Sequence, residues 1–160
     1  MKPQSKLFVL QSLTGTRQWF RRAAGALLLA ILVPTVAPAE PTAREPSPPG
    51  AQVYFHYPLD GLRVPERFTV RMGLKEMGVA PAGTPWPSAG HHHLLIDTDP
   101  GPPDQPIPSD YNNLHLGNGQ TEVVVTLPKG RHTLQLLLGD HNHVPHDPPV
   151  MSRKITIYVR

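Results

Sequence analysis

The sequence predicts an all-β protein: an immunoglobulin-like antiparallel β-sandwich of about seven strands, preceded by a signal peptide that is cleaved. Three observations lead to this fold class. Apolar and polar residues alternate in six separate segments, which is the pattern of half-buried strands. No segment carries a sustained helical stripe, and the 21 prolines of the chain oppose long helices. Turns such as PLDG and LPKG separate the alternating segments, as in two antiparallel sheets packed face to face.

Residues 1–39 have the three-part layout of a secretory signal peptide. A basic segment without acids is followed by the apolar run AAGALLLAILVPTVA and by a small-residue cleavage site, APAE. A membrane-spanning helix needs about 20 apolar residues, whereas this run is shorter and is interrupted by Pro34. We therefore expect export to the periplasm or the medium, with no membrane association after cleavage. The route is the general secretory one or, because of Arg21 and Arg22, the twin-arginine one.

Cleavage of the signal peptide changes the charge of the chain. Five of the 15 lysines and arginines lie in residues 1–39 and none of the 12 acids does, so residues 40–160 carry 10 basic and 12 acidic groups, a net charge of −2. No basic surface remains to attract nucleic acid, and no nucleic-acid partner is expected. The absence of cysteine excludes disulfides, thiol catalysis and thiolate metal ligands. The sequence indicates no organic cofactor and no particular protein partner.

Residues 40–50, EPTAREPSPPG, are rich in proline and are predicted to form a flexible leader. Residues 51–160 suffice for one domain with one core. The predicted strands are, in chain order, QVYFHY (52–57), FTVRMGLK (68–75), HHLLID (92–97), EVVVTL (122–127), HTLQLLLG (132–139) and KITIYV (154–159). Two long loops, near 79–90 and 99–114, are dense in proline and glycine, and loops of that length tend to be functional.

Several of the nine histidines are predicted to gather at one end of the sandwich. TEVVVTL and RHTLQLLLGD are joined only by PKG and are predicted to form a β-hairpin, which places His115 near His143 at its open end. The strand that begins at His91 is expected to run antiparallel to HTLQLLLGD, so its start reaches the same end. The candidate ligands are His91, His93, His115, His141, His143 and His146, with Asp140 as an extra ligand or as a hydrogen-bond partner that orients an imidazole.

Two pairs of these histidines are spaced for chelation. His91 and His93 share one face of a strand, as do His141 and His143 if that segment is extended, whereas His92 shares the opposite face with Leu94 and Ile96. Imidazole is a good ligand for Cu(II) and Zn(II), which are the ions expected here. The alternative is a metal-free hydrogen-bond network around Asp140 and Asp97. His56 and His132 are interpreted as structural residues.

Three functions are compatible with this pattern. The leading hypothesis is an exported binding or accessory protein that holds a divalent transition metal. The second is a redox or hydrolytic enzyme that uses the same site with an open coordination position, for which Glu122 is the one candidate acid or base. The third is a metal-free structural or interaction module. The sequence assigns no catalytic residue, and the enzyme hypothesis is not favoured.

The motifs GVAPAG, GHHHLLID, PIPSD, HLGNGQTE, LPKGRHTLQLLLGDHNHVPHDPPVMS and KITIYV resemble a bacterial exported family known as domain of unknown function 4399, over about residues 76–160. The resemblance implies a small exported domain, an immunoglobulin-like sandwich, and lends no catalytic residues. The positions that carry it are His91 to His93, Asp97, His115, Gln120, Thr121, Glu122, His132, Gln135, Asp140, His143 and His146.

Overall fold

The computed structural model describes residues 44–160, and every regular element in this range is a β-strand. The strands are β1 (Gln52–Tyr57), β2 (Arg63–Val64), β3 (Arg67–Lys75), β4 (Gly78–Val79), β5 (Ala89–Ile96), β6 (Asn113–His115), β7 (Glu122–Thr126), β8 (Gly130–Gly139) and β9 (Ile155–Val159). The all-β prediction is confirmed, and each of the six predicted segments forms a strand. Nothing in the described range is a helix long and apolar enough to cross a membrane. The predicted signal peptide, residues 1–39, lies outside the described residues.

The strands form two sheets. The smaller has the order β1-β3-β7 and is antiparallel throughout. The larger has the order β2-β9-β8-β5, with the short strands β4 and β6 both paired to the remaining edge of β5. Within it, β5 and β8 are antiparallel, and His91 lies opposite Gly139. The predicted pairing of the histidine strand with β8 is therefore confirmed, while the immunoglobulin-like topology stays a prediction.

The predicted hairpin between EVVVTL and HTLQLLLG is wrong. Strand β7 pairs with β3 in the small sheet, whereas β8 pairs with β5 and β9 in the large one. The connection through Pro128 therefore carries the chain from one sheet to the other. A three-residue link fits both a hairpin and such a crossing. The difference comes from β3, whose Val70 and Phe68 lie opposite Val123 and Val125.

One apolar core joins the two sheets. The alternating residues predicted to face inward do so: Val70 of β3, Leu94 of β5, Leu136 of β8 and Ile157 of β9 are fully buried in it. A second, smaller cluster lies on the other face of the large sheet, where Leu95 and Leu137 are covered by Ile107 from the long loop between β5 and β6. The β5–β8 pair is thus buried on both faces. This double burial decides the surroundings of the histidines.

Part of the predicted flexible leader is held against the domain. Ser47 donates its backbone N–H to the carbonyl of Asp147 at 2.9 Å, and Asp147 donates to the carbonyl of Glu45 at 2.8 Å. Arg44 forms an ion pair with the Asp147 carboxylate at 3.2 Å. Residues 44–47 therefore do not behave as a detached linker, because their backbone hydrogen-bonding groups find partners in the segment after β8. Residues 40–43 lie outside the described range.

His132 has a structural role, as the sequence indicates. Its Nδ1 lies 2.6 Å from Asp97 Oδ2, and its Nε2 lies 2.9 Å from the carbonyl oxygen of Pro128. Both partners can only accept, so both ring nitrogens must donate, which only the protonated imidazolium does. Burial alone would lower the pKa of His132, but the hydrogen bonds to Asp97 and Pro128 raise it above its ordinary value. This contact ties the end of β5 to the start of β8.

We expect the His132 contact to make stability fall as the pH rises. Because the folded-state pKa lies above the unfolded one, the stabilisation is complete below about pH 6.5 and disappears as the pH rises through the folded pKa. His132→Gln should cost about 1 kcal/mol at pH 6 and much less at pH 9, since the pair is partly exposed. Urea unfolding from pH 6 to 9 measures this, with the exposed His56→Gln as control. If the free energies of unfolding of the wild type and of His132→Gln change in parallel with pH, the charged contact is contradicted.

Candidate metal centre

Strand β5 positions three consecutive imidazoles in the protein interior. His91, His92 and His93 are each 0% exposed. Because side chains alternate along a strand, His92 faces the core between the sheets, where its Nδ1 lies 3.2 Å from the carbonyl oxygen of Gln120. His91 and His93 occupy the opposite face, the one that the β5–β6 loop covers. Their sidedness agrees with the prediction from the sequence.

Strand β6 brings His115 to this face. His115 lies opposite His93 in the antiparallel β5–β6 pair, and the two ring centroids are 5.1 Å apart. The next residue, Leu116, donates its N–H to the carbonyl of His92 at 3.1 Å and extends the pairing. His115 therefore arrives through direct pairing with β5, not through the predicted hairpin with β8.

His143 comes from the loop that follows β8, and Asp140 shapes this loop. One carboxylate oxygen of Asp140, Oδ1, accepts the backbone N–H groups of Asn142 at 2.7 Å and Val144 at 2.9 Å. The Asp140 carbonyl accepts the N–H of His143 at 3.0 Å. His143 itself has a φ of 69°, in the left-handed region where histidine is tolerated better than most residues. Asp140 thus orients the segment that carries His143 and is not one of the converging donors.

Four imidazoles meet on the covered face of the large sheet. The ring centroids of His91, His93, His115 and His143 are all within 6.1 Å of one another. One ligand atom each from His91, His115 and His143 lies within 4.8 Å of the others. The Nε2 atoms of His91 and His93 are 3.0 Å apart. We call these four residues the imidazole cluster.

These distances can be compared with those around a metal ion. Two nitrogens that each lie about 2.0–2.1 Å from one ion are separated by about 2.9 Å at a right angle and about 3.4 Å at the tetrahedral angle. The separation of 3.0 Å between the Nε2 atoms of His91 and His93 falls in this range, and it is also the distance of a hydrogen bond between the two rings. The ligand atoms of His91, His115 and His143 lie within 4.8 Å of one another, so around a tetrahedral ion they would approach to about 3.4 Å. The imidazole cluster could therefore hold a metal.

The electrostatics keep His91 and His93 neutral at pH 7. Burial, followed by the neighbouring His143 and His115, lowers the pKa of His91 to about 4. Burial, followed by His91 and His115, lowers that of His93 to about 2. Within residues 44–160, His91 Nδ1, His93 Nδ1 and His115 Nε2 are buried without a hydrogen-bond partner. Neutral imidazoles with unpaired nitrogens are in the protonation state that binds metals.

The structure does not bring the other predicted ligands into the imidazole cluster. His141 and His146 line a separate cavity together with Asp140. His141 Nε2 accepts a hydrogen bond from Asn142 Nδ2 at 2.9 Å, and the buried His146 packs beside Gly90. The predicted chelating pair of His141 and His143 does not form, because β8 ends at Gly139 and the chain turns there.

Two glycines that the sequence analysis did not single out make room for the cluster. A Cβ atom at Gly117 would lie 2.3 Å from the ring of His115, and one at Gly139 would lie 3.0 Å from Nε2 of His93. The sequence contains a signal for one of these glycines. Gly117 follows His115 by two residues, so an extended segment would place both on the same side of the chain.

Comparison with known proteins identifies a family, but no matching curated protein or solved structure. The family model described as "Domain of unknown function (DUF4399)" matches residues 70–160, which is more than half of the chain and includes the whole imidazole cluster. No curated protein and no solved structure matches.

Proposed function

Because the chain belongs to the family described as "Domain of unknown function (DUF4399)", whose description names no activity, we propose a function from the site itself. The protein binds one divalent transition metal ion, Cu(II) or Zn(II), through His91, His115 and His143, with His93 as a fourth donor. The observation that carries this proposal is the convergence of donor atoms from three chain segments to within 4.8 Å of one another.

The donor set favours Cu(II) or Zn(II). All the donors in the converging group are imidazole nitrogens, with no carboxylate among them, and imidazole suits copper and zinc, whereas magnesium and calcium take oxygen ligands. Within residues 44–160, three ring nitrogens of the cluster, His91 Nδ1, His93 Nδ1 and His115 Nε2, are buried without a hydrogen-bond partner. Such a loss costs about 1–3 kcal/mol for each group, and coordination of an unpaired nitrogen to an ion would offset it at that nitrogen.

Binding is favoured over catalysis. A hydrolytic metal site commonly pairs the ion with an acid or base that moves a proton. Glu122, the sequence candidate, is exposed on β7 and forms an ion pair with Arg71 at 3.2 Å. Asp97 is engaged by His132. We therefore propose a binding or accessory protein that acts in the periplasm or outside the cell. Support for that location comes from the three-part N-terminal segment of residues 1–39.

Metal analysis of single variants tests the proposal. Purified protein, loaded with Zn(II) or Cu(II) and dialysed, should retain one ion per chain. His91→Ala and His143→Ala should each weaken binding by at least about 100-fold, because even changes next to ligands cost about 10–100-fold.

The matched control is His141→Ala, which lies two residues from His143 but outside the imidazole cluster. It should retain one ion, as should the exposed His56→Ala. Wild-type protein that loses all metal on dialysis would refute the proposal, and so would equal losses in His141→Ala and His143→Ala.

A further inference from the structure

A second cavity lies beside the loop that Asp140 shapes. It has a volume of about 170 Å³, and its walls include Glu45, Trp86, Asp140, His141 and His146. None of the residues of the imidazole cluster lines it. The two sites therefore share the Asp140 loop but no donor.

Asp140 leaves half of its carboxylate without a partner. The residue is 1% exposed, and both of its side-chain hydrogen bonds within residues 44–160 are accepted by Oδ1, from Asn142 and Val144. No hydrogen bond to Oδ2 and no ion pair of Asp140 is found in the same range. Asp140 Oδ2 is not among the fully enclosed polar atoms that lack a partner, so this oxygen meets the space of the cavity that Asp140 lines. A carboxylate oxygen that faces a cavity without a donor can accept a charge-assisted hydrogen bond from a cation held there.

The lining of the cavity also includes a second carboxylate, that of Glu45, and the aromatic ring of Trp86. Glu45 makes no ion pair within the described residues, since the neighbouring Arg44 is engaged by Asp147. The backbone of Glu45 is fixed by the hydrogen bond from Asp147 to its carbonyl, at 2.8 Å. Trp86 is 63% exposed between Pro85 and Pro87, whose rings restrict the backbone. An indole offers apolar surface against which an alkyl chain can pack.

His146 does not oppose a cation in this cavity. Burial lowers the pKa of His146, in spite of the nearby carboxylates of Asp140 and Glu45. His146 is therefore neutral at pH 7, and Asp140 and Glu45 are the two carboxylates among the residues that line the cavity.

We propose that this cavity binds a small organic ammonium ion, with the charged nitrogen at Asp140 Oδ2 and Glu45 and the alkyl part against the indole of Trp86. Pockets for drug-sized ligands measure about 300–1,000 Å³, so a cavity of about 170 Å³ accepts a single short-chain ammonium group. This proposal is independent of the metal site, because it uses none of its ligands.

Titration of the full chain with n-butylammonium chloride at constant ionic strength tests the proposal. Calorimetry should give saturable one-to-one binding, and the tryptophan fluorescence should change with it. The neutral analogue 1-butanol should give neither signal. Trp86→Leu should abolish the fluorescence change, which separates it from any contribution of Trp19.

Asp140→Asn is the informative variant, because asparagine keeps the Oδ1 acceptor that holds the loop and removes the charge at Oδ2. It should weaken butylammonium binding at least tenfold, and Glu45→Gln, at an exposed position, should also weaken it. Unchanged binding in Glu45→Gln overturns the proposal even if Asp140→Asn fails to fold. Equal binding of 1-butanol, or binding of a neutral sugar such as glucose without binding of the amine, overturns it as well.

Discussion

Addition of Zn(II) or Cu(II) is expected to raise the free energy of unfolding by about 4 kcal/mol when the free ion is at about 1,000 times its Kd. The ion can find three or four imidazoles together only in the folded chain, since His91, His115 and His143 belong to three separate segments. For a domain of this size, 4 kcal/mol corresponds to a rise in Tm of about 10–20 °C. Thermal unfolding followed by circular dichroism, with added metal and then with added chelator, measures the shift.

The control for this shift is His115→Ala. If the loss of one imidazole weakens binding about 100-fold, the same free ion concentration stabilises the variant by only about 1.4 kcal/mol, so its rise in Tm should be about a third of that of the wild type. If the Tm of the wild-type protein changes with neither metal nor chelator, the metal-free hydrogen-bond network is favoured instead. A Tm that rises equally in wild type and His115→Ala would place the ion elsewhere in the chain.

Replacement of Gly117 by alanine should weaken metal binding by at least about tenfold while leaving all the histidines in place. The new Cβ would lie 2.3 Å from Cε1 and 2.4 Å from Nε2 of His115, so the imidazole or its backbone must shift from its present position. The φ of Gly117 is not in the left-handed region, so the backbone accepts alanine. A ring displaced by 1 Å or more loses its bond to the ion, because ligand distances tolerate only about 0.2 Å.

Gly101→Ala is the matched control for this substitution. No atom lies within 4 Å of the position of its Cβ, so metal affinity should match that of the wild type. Competition with a chromophoric chelator gives both affinities. If Gly117→Ala binds metal as tightly as Gly101→Ala does, His115 is not a ligand.

The alternation of residues predicted the long strands, because each buries one row of side chains in the common core. The strands that the sequence did not reveal, β2, β4 and β6, have two or three residues each. Such strands are too short for a period of two to be visible. Whether such short segments form strands depends on pairing with the edge of a neighbouring strand. Asn113–His115 becomes a strand because β5 offers backbone groups that need partners.

The imidazole cluster was predicted in part for the wrong reason. A hairpin between β7 and β8 was expected to bring His115 to His143, yet β7 belongs to the other sheet. The sidedness of His91 and His93 was correct, because it follows from strand geometry alone. His141 was misplaced because the two-residue spacing assumes an extended chain. Asp140 instead folds the segment into a turn, and a left-handed residue such as His143 cannot be recognised from spacing.

The order in which the donors occur along the chain has a consequence for synthesis. The last of the four in chain order, His143, follows Asp140, which shapes the turn that carries it. During synthesis, a nascent polypeptide that has not reached His143 offers at most the three earlier imidazoles. If the proposed site holds an ion, tight capture begins only after this turn has been made.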